Sequence, residues 1–285
     1  MGSVRLEEIV LKVQDVKPLP IAVGNIIRVT EEPTSTIQDL EEAILMDQVL
    51  TTRILRVANS AYYTYNRRIS TISQAAVLIG FKAIKGIAFA SVLSKLMNVE
   101  LKGYEMNSNA LWKQSQTCAI AAREISKRIR YKDQEEAYIA GLLHDFGKII
   151  LSQYLEKEYG EIMAMVTEDQ IPFDQAEERV LGFSHTEIGA MVAEKWNLPK
   201  HLVDSIRWHH APENADDNIM MVNIVHVADS ITMDIGGEGM GADGMAYARS
   251  NRALDMLGLD DVGYFDLISL VADIVSNENN FFVSI

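Results

Sequence analysis

Between Ile21 and Ser276 the apolar residues return at three- and four-residue steps, and no convincing run of alternating apolar and polar residues appears. That one period limits the chain more than any other feature. A helix brings the same face round every ~3.6 residues and a strand every two, so stripes written in this way are buried helix against helix. The expectation is an all-α, multi-helix fold. With 285 residues, 48% of them hydrophobic and 23% charged, the chain is long and apolar enough to enclose a real core.

Local signals divide the pattern into elements. After Pro18-Leu19-Pro20, residues Ile21, Ile26 and Val29 predict a first helix ending at Glu31-Glu32-Pro33. Ser35 or Thr36 can cap a second, with Ile37, Leu40 and Ile44 on its core face. Leu50, Ile54, Val57 and Ala61 form the next stripe, closed by the small-residue stretch Asn59-Ser60-Ala61-Tyr62-Tyr63. Ser73 opens a short helix that Gly80 interrupts, and Lys82 to Met97 follows with Ile84, Ile87 and Ser91 inward. Further helices are expected over 110–130, 134–144, 148–168, 174–181, 186–196, 200–209 and 218–232, with Pro199 able to start one of them at its first turn. The polar link from Lys102 to Asn109 suggests an N-terminal helical half over residues 1–108 and a second half over 109–235. A glycine-rich loop and C-terminal helical extension make up 236–285, and the loop lacks the flanking strand a nucleotide fingerprint needs.

Composition removes several function classes. A formal net charge of -14 opposes a phosphate backbone, so no nucleic-acid partner is expected. The single cysteine, Cys118, excludes an intrachain disulfide and fits a reducing compartment; in Thr117-Cys118-Ala119-Ile120 it reads as a buried structural thiol. The stretch MGSVRLEEIV has no signal-peptide core and no run is long enough for membrane insertion, so the cytoplasm is the expected location.

All six histidines, His144, His185, His201, His209, His210 and His226, lie in the second half. Four stand at expected helix ends, where side chains from separate helices converge: His144, His185, His209 and His210. His201 reads as a surface residue and His226, in Ile224-Val225-His226-Val227-Ala228, as a hydrogen-bonded core residue, with Asp229 on the same helical face. Asp145, set in Leu142-Leu143-His144-Asp145-Phe146, is the strongest single candidate, because a carboxylate in so apolar a setting is costly unless paired or metal-bound. Lys148 reads either as a surface lysine at a helix start or as a phosphate-binding cation beside a metal. Imidazole and carboxylate donors suit Zn, Fe, Mn or Ni.

Gly141-Leu142-Leu143-His144-Asp145-Phe146-Gly147-Lys148 resembles the signature of the HD superfamily of metal-dependent phosphohydrolases. Gly182 to Gly189, Trp208-His209-His210 and Val225 to Asp229 resemble, in order, later ligand stretches of its HD-GYP branch. The first half, from Lys17-Pro18-Leu19-Pro20 through Ile54 to Tyr63 and Ile69 to Gly80, is similar to the HDOD family, an all-helical signalling or regulatory module. The resemblance runs from about Val16 to Asp229. It implies a first metal on His144, Asp145 and Asp229, and a second on Asp145, His185, His209 and His210. Related hydrolases add a histidine to the first set where this chain has Gln114, a weak substitute. Gln48 replaces a usual proline after Asp47, and Ala211-Pro212-Glu213-Asn214 stands where active phosphodiesterases carry GYP, which disfavours cyclic di-nucleotide hydrolysis.

Two readings follow. One is a regulatory module with a degenerate metal site that binds a signalling protein or small-molecule signal. The alternative is a metal-dependent phosphohydrolase in which Asp145 and Lys148 serve a phosphoester. The incomplete first set favours the regulatory reading, with at most one tightly held divalent transition metal.

Overall fold

A computed structural model describes residues 2–59, 68–236 and 249–282. Among these, fifteen α-helices and the short 3-10 turns Lys102–Tyr104 and Pro212–Asn214 account for the regular structure and there is no β-strand; Leu101 and Met106 form one isolated antiparallel bridge. The chain divides into two compact units, Pro18–Leu96 with Asn277–Ile285, and Met1–Lys17 with Met97–Ser276.

In the first unit the helices are α2 (Ile21–Glu31), α3 (Ile37–Leu45), α4 (Gln48–Ala58), α5 (Ile72–Ile79) and α6 (Phe81–Leu96), preceded in the chain by α1 (Gly2–Asp15) of the other unit. Thr36 caps α3 with a reciprocal bond to Asp39, and Asp47 caps α4 by accepting from the amides of Val49 and Leu50. Leu40, Ile44, Leu50, Ile54, Val57, Ile84 and Ile87 are buried as the spacing requires. Ile21 and Ile37 are not: at 75% and 38% exposure, they occupy first-turn positions that overhang the packed stripe. Gly80 ends α5 at φ 85°, the left-handed region that glycine enters without steric cost. Residues 60–63, including the expected packing position Ala61, lie outside the described residues.

The second unit carries α1, α7 (Ala110–Arg128), α8 (Gln134–Leu143), α9 (Lys148–Thr167), α10 (Phe173–Leu181), α11 (His185–Lys195), α12 (Lys200–Trp208), α13 (Ile219–Ile235), α14 (Asn251–Leu257) and α15 (Asp261–Phe282). The sequence reading starts at Ile21 and misses α1, whose visible stripe is short: Ile9 and Val13 are buried one turn apart. Lys195 of α11 donates to the carbonyls of Val13, Gln14 and Val16, at and just beyond the C-terminal end of α1. At the centre α7 packs between α8 and α13. Leu111, Ile120 and Ile125 on α7 are 4% exposed or less, and each contributes ~1.5–3 kcal/mol by burial. Ile125→Ala would cost ~2–5 kcal/mol. Residues 237–248, most of the expected glycine-rich loop, lie outside the described residues. No single helix among the described residues is long and apolar enough to cross a membrane; α5 and α6 would qualify only as a pair, and they are bent by 116°.

Candidate metal centre

The residues of the centre come from the ends of α8 and α12, the starts of α9 and α11, and the middles of α7 and α13. Gly141 lets α8 close on α7, since a Cβ there would sit 2.8 Å from the Cys118 carbonyl oxygen. His144 then falls at the C-terminal end of α8, and its Nδ1–H donates to the Gly141 carbonyl at 2.7 Å. That bond fixes the tautomer and leaves Nε2 facing inward. Just before α9, Gly147 crosses Gly189: a side chain at Gly147 would overlap the His185 carbonyl oxygen and meet the Gly189 amide nitrogen at 2.6 Å. This backbone approach sets Asp145, on one side of the crossing, against His185 on the other.

Asp145 lies between two groups of donors. Its Oδ1 is 3.4 Å from His185 Nε2 and 3.7 Å from His209 Nε2. Its Oδ2 is 3.2 Å from His144 Nε2, which is in turn 3.3 Å from Asp229 Oδ1, and Oδ2 also accepts from Lys148 Nζ. His185 Nε2 and His210 Nε2 are 3.1 Å apart. Two donors about 2.1 Å from one ion, at tetrahedral or octahedral angles, stand roughly 3.0–3.4 Å from each other, so most of these separations are those of ligands sharing an ion. Ligand atoms of Asp145, His185, His209 and His210 all lie within 4.8 Å of one another, as do those of Cys118, His144 and Asp229.

Satisfaction of the polar atoms is the test of fit. His144 Nε2, His209 Nε2, Asp145 Oδ1 and both carboxylate oxygens of Asp229 are buried without a hydrogen-bond partner. Orphans of this kind are rare in a packed core and are answered by an ion or ordered water. His226 is the contrast: its Nδ1–H donates to the His209 carbonyl at 2.7 Å and its Nε2 accepts from the Ser250 amide at 3.0 Å. His226 is therefore a core histidine that buttresses the backbone of His209. His201, partly exposed, is 3.1 Å from Glu136 and belongs to no donor group.

Charge follows the geometry. Burial would lower the His185 pKa, but the Glu177 carboxylate and the bonds from Asp145 and Glu177 outweigh it and raise it to about 10. Burial wins at His209, which drops to about 4, and at His210, where the neighbouring imidazoles push further down. Burial would raise Asp145, yet His144 and Lys148 hold it well below the usual carboxylate range. The same balance lowers Asp229, through its contact with His144.

Three residues escape the sequence reading. Glu177 of α10, 0% exposed, accepts from His185 Nδ1 at 2.7 Å and from the His185 amide at 2.9 Å. Tyr104 Oη donates to the other Glu177 oxygen at 2.5 Å. Cys118, read as a structural thiol, faces His144 and Asp229. Glu177 sits in an expected helix and Tyr104 in a stretch that reads as a linker, and only the fold reveals their burial. For Cys118 the signal was present: it lies four residues after Gln114 on α7, hence on the same face. Gln114 itself is buried in that helix, at 4% exposure.

Comparison with known proteins identifies the family. The HDOD domain model matches residues 16–212. An uncharacterized protein of Treponema pallidum (strain Nichols) is 27% identical over 235 residues, covering 80% of this chain and 44% of the relative, so the chain spans less than half that relative's length. An HDOD domain protein with unknown function from Geobacter sulfurreducens is 28% identical with a TM-score of 0.70, over 99% of this chain and 95% of that one. A candidate phosphohydrolase from Shewanella amazonensis SB2B shares the fold at 24% identity and a TM-score of 0.67, over 93% of both chains. The chain belongs to the HDOD family.

Proposed function

We propose that this chain is a regulatory HDOD module that acts in signal transduction by binding a protein partner or small signal, and that a divalent transition metal on Asp145, His185, His209 and His210 braces its second unit. The observation that carries the reading is burial: Asp145, Lys148, His185 and His209 are each 1% exposed or less. A phosphoester would have to reach these groups, and among them only His210 is partly exposed. An ion held there would polarise a bound water and lower its pKa toward ~7. Lys148, the candidate phosphate-binding cation, already donates to Asp145 Oδ2, which neutralises the carboxylate and keeps the ammonium from an anionic ligand.

The second reading, phosphoester hydrolysis, is favoured by the convergence of the Asp145, His185, His209 and His210 donors. Metal analysis of protein purified without chelator, followed by turnover of a generic phosphodiester, separates the two. The regulatory reading expects bound metal with no turnover above that of Asp145→Ala. Robust turnover by the unmodified protein, lost in Asp145→Ala, would establish the hydrolase instead.

A further inference from the structure

The geometry points to Cys118 of α7 as a thiolate ligand beside His144 at the end of α8 and Asp229 of α13, making of the incomplete first set a metal subsite that takes a borderline divalent ion such as Zn, Fe or Co. It rests on the preceding reading only in that the neighbouring donor group also binds metal.

Three observations carry it. Cys118 Sγ, one ring nitrogen of His144 and a carboxylate oxygen of Asp229 lie within 4.8 Å of one another, and the residues are 0%, 1% and 1% exposed. His144 has committed Nδ1–H to the Gly141 carbonyl, so Nε2 alone is left to serve as a ligand, and it stands 3.3 Å from Asp229 Oδ1. A Cys-His-Asp relay for nucleophilic catalysis needs both ring nitrogens, one for each partner, and is excluded by that bond. Finally, His144 Nε2 and Asp229 Oδ1 stand 3.3 Å apart without a well-formed hydrogen bond, and Asp229 Oδ2 has no partner. A packed thiol and a hydrogen-bonded core would not leave a buried carboxylate with one oxygen unanswered and the other poorly answered, as the fully bonded His226 one turn earlier on α13 demonstrates. A single proton on His144 would answer one direction only. A cation coordinated by thiolate, imidazole and carboxylate answers all three groups, and the Cys118 thiol gives its proton to solvent as the ion binds. Three protein ligands leave a position open for water, next to the Asp145 Oδ2 that Lys148 engages. The expectation of at most one ion counts Gln114 as a lost donor and omits Cys118 as a gained one.

The probe is Co(II), added to the full chain after treatment with chelator, because a thiolate ligand gives a near-ultraviolet sulfur-to-metal charge-transfer band and Cys118 is the only cysteine. The unmodified protein is expected to bind about two ions and show the band. Cys118→Ser should bind one ion without it, whereas His185→Ala should keep the band and lose the other ion. Asp229→Asn, which retains the thiol, should weaken the band at equal Co(II) and serves if Cys118→Ser does not fold. One ion and no band in the unmodified protein overturns the thiolate subsite while leaving the histidine site standing. No ion in any form overturns both.

Discussion

Glu177 Oε2 accepts two bonds from the same residue, the amide of His185 at 2.9 Å and its Nδ1 at 2.7 Å. One carboxylate thus fixes where α11 begins and which nitrogen of its first side chain is turned toward Asp145. A carboxylate behind a ligating imidazole also raises the basicity of the ligand. Glu177→Gln should therefore weaken metal binding by ~10–100-fold and lower the His185 pKa from about 10. Competition titration against a chromophoric chelator and an NMR titration of the His185 ring read the two effects; unchanged affinity would remove Glu177 from the support of the site.

Metal binding should release protons at neutral pH. His185 carries a proton up to about pH 10 in the metal-free chain and must surrender it to coordinate through Nε2. Affinity should then rise with pH between about 6 and 9. Calorimetry in buffers of different ionisation enthalpy gives the proton count, and a buffer-independent heat would contradict it.

The metal-free chain should lose stability on both sides of about pH 6.5. His209, lowered to about 4, stays neutral in the fold while the unfolded chain takes up a proton, so stability falls as pH drops from ~6.5 to ~4. His185, raised to about 10, contributes stability that is complete below ~6.5 and is lost as pH rises through 10. Melting temperatures across this range should trace a peak, and a monotonic profile would show that other groups dominate.

Glycines on α9 and at its start should respond in opposite directions. Gly147→Ala must displace the His185 backbone and should cost at least ~1–3 kcal/mol, with loss of bound metal. Gly160 has open space around its would-be Cβ in the interior of the same helix, so Gly160→Ala should stabilise by ~0.5–1 kcal/mol. Denaturant midpoints of the two variants test both signs.

Gln114→His places an imidazole one turn before Cys118 on α7 and should raise metal content or affinity with little or no hydrolysis of cyclic di-nucleotides. Metal content and affinity both unchanged would show that position 114 does not face the donors.

Much of this was written in the sequence because helices announce themselves locally. Thr36 with Asp39, Asp47 before Gln48, and Gly80 at positive φ are short-range signals, and the structure uses each as an end or a start. The His144-Asp145 pair and the later histidines were legible because sharp helix ends gather side chains. Ile21 and Ile37 misled because spacing assigns a face but not how far that face extends beyond its packing partner. Glu177 and Tyr104 were illegible for a different reason. Their importance lies in a bond between residues 73 positions apart, and no local pattern encodes that.

The crossing of Gly147 and Gly189 has a kinetic corollary. With backbone against backbone, α9 and α11 have no side-chain cushion along which to slide. They can part only by lifting away from one another, and that motion also pulls His185 from Asp145. An ion seated between them would therefore leave no faster than this part of the molecule opens, and its residence time would report the rate of that local opening only where dissociation follows each opening. Removing such an ion with chelator would then take at least as long as that opening requires, however strong the chelator.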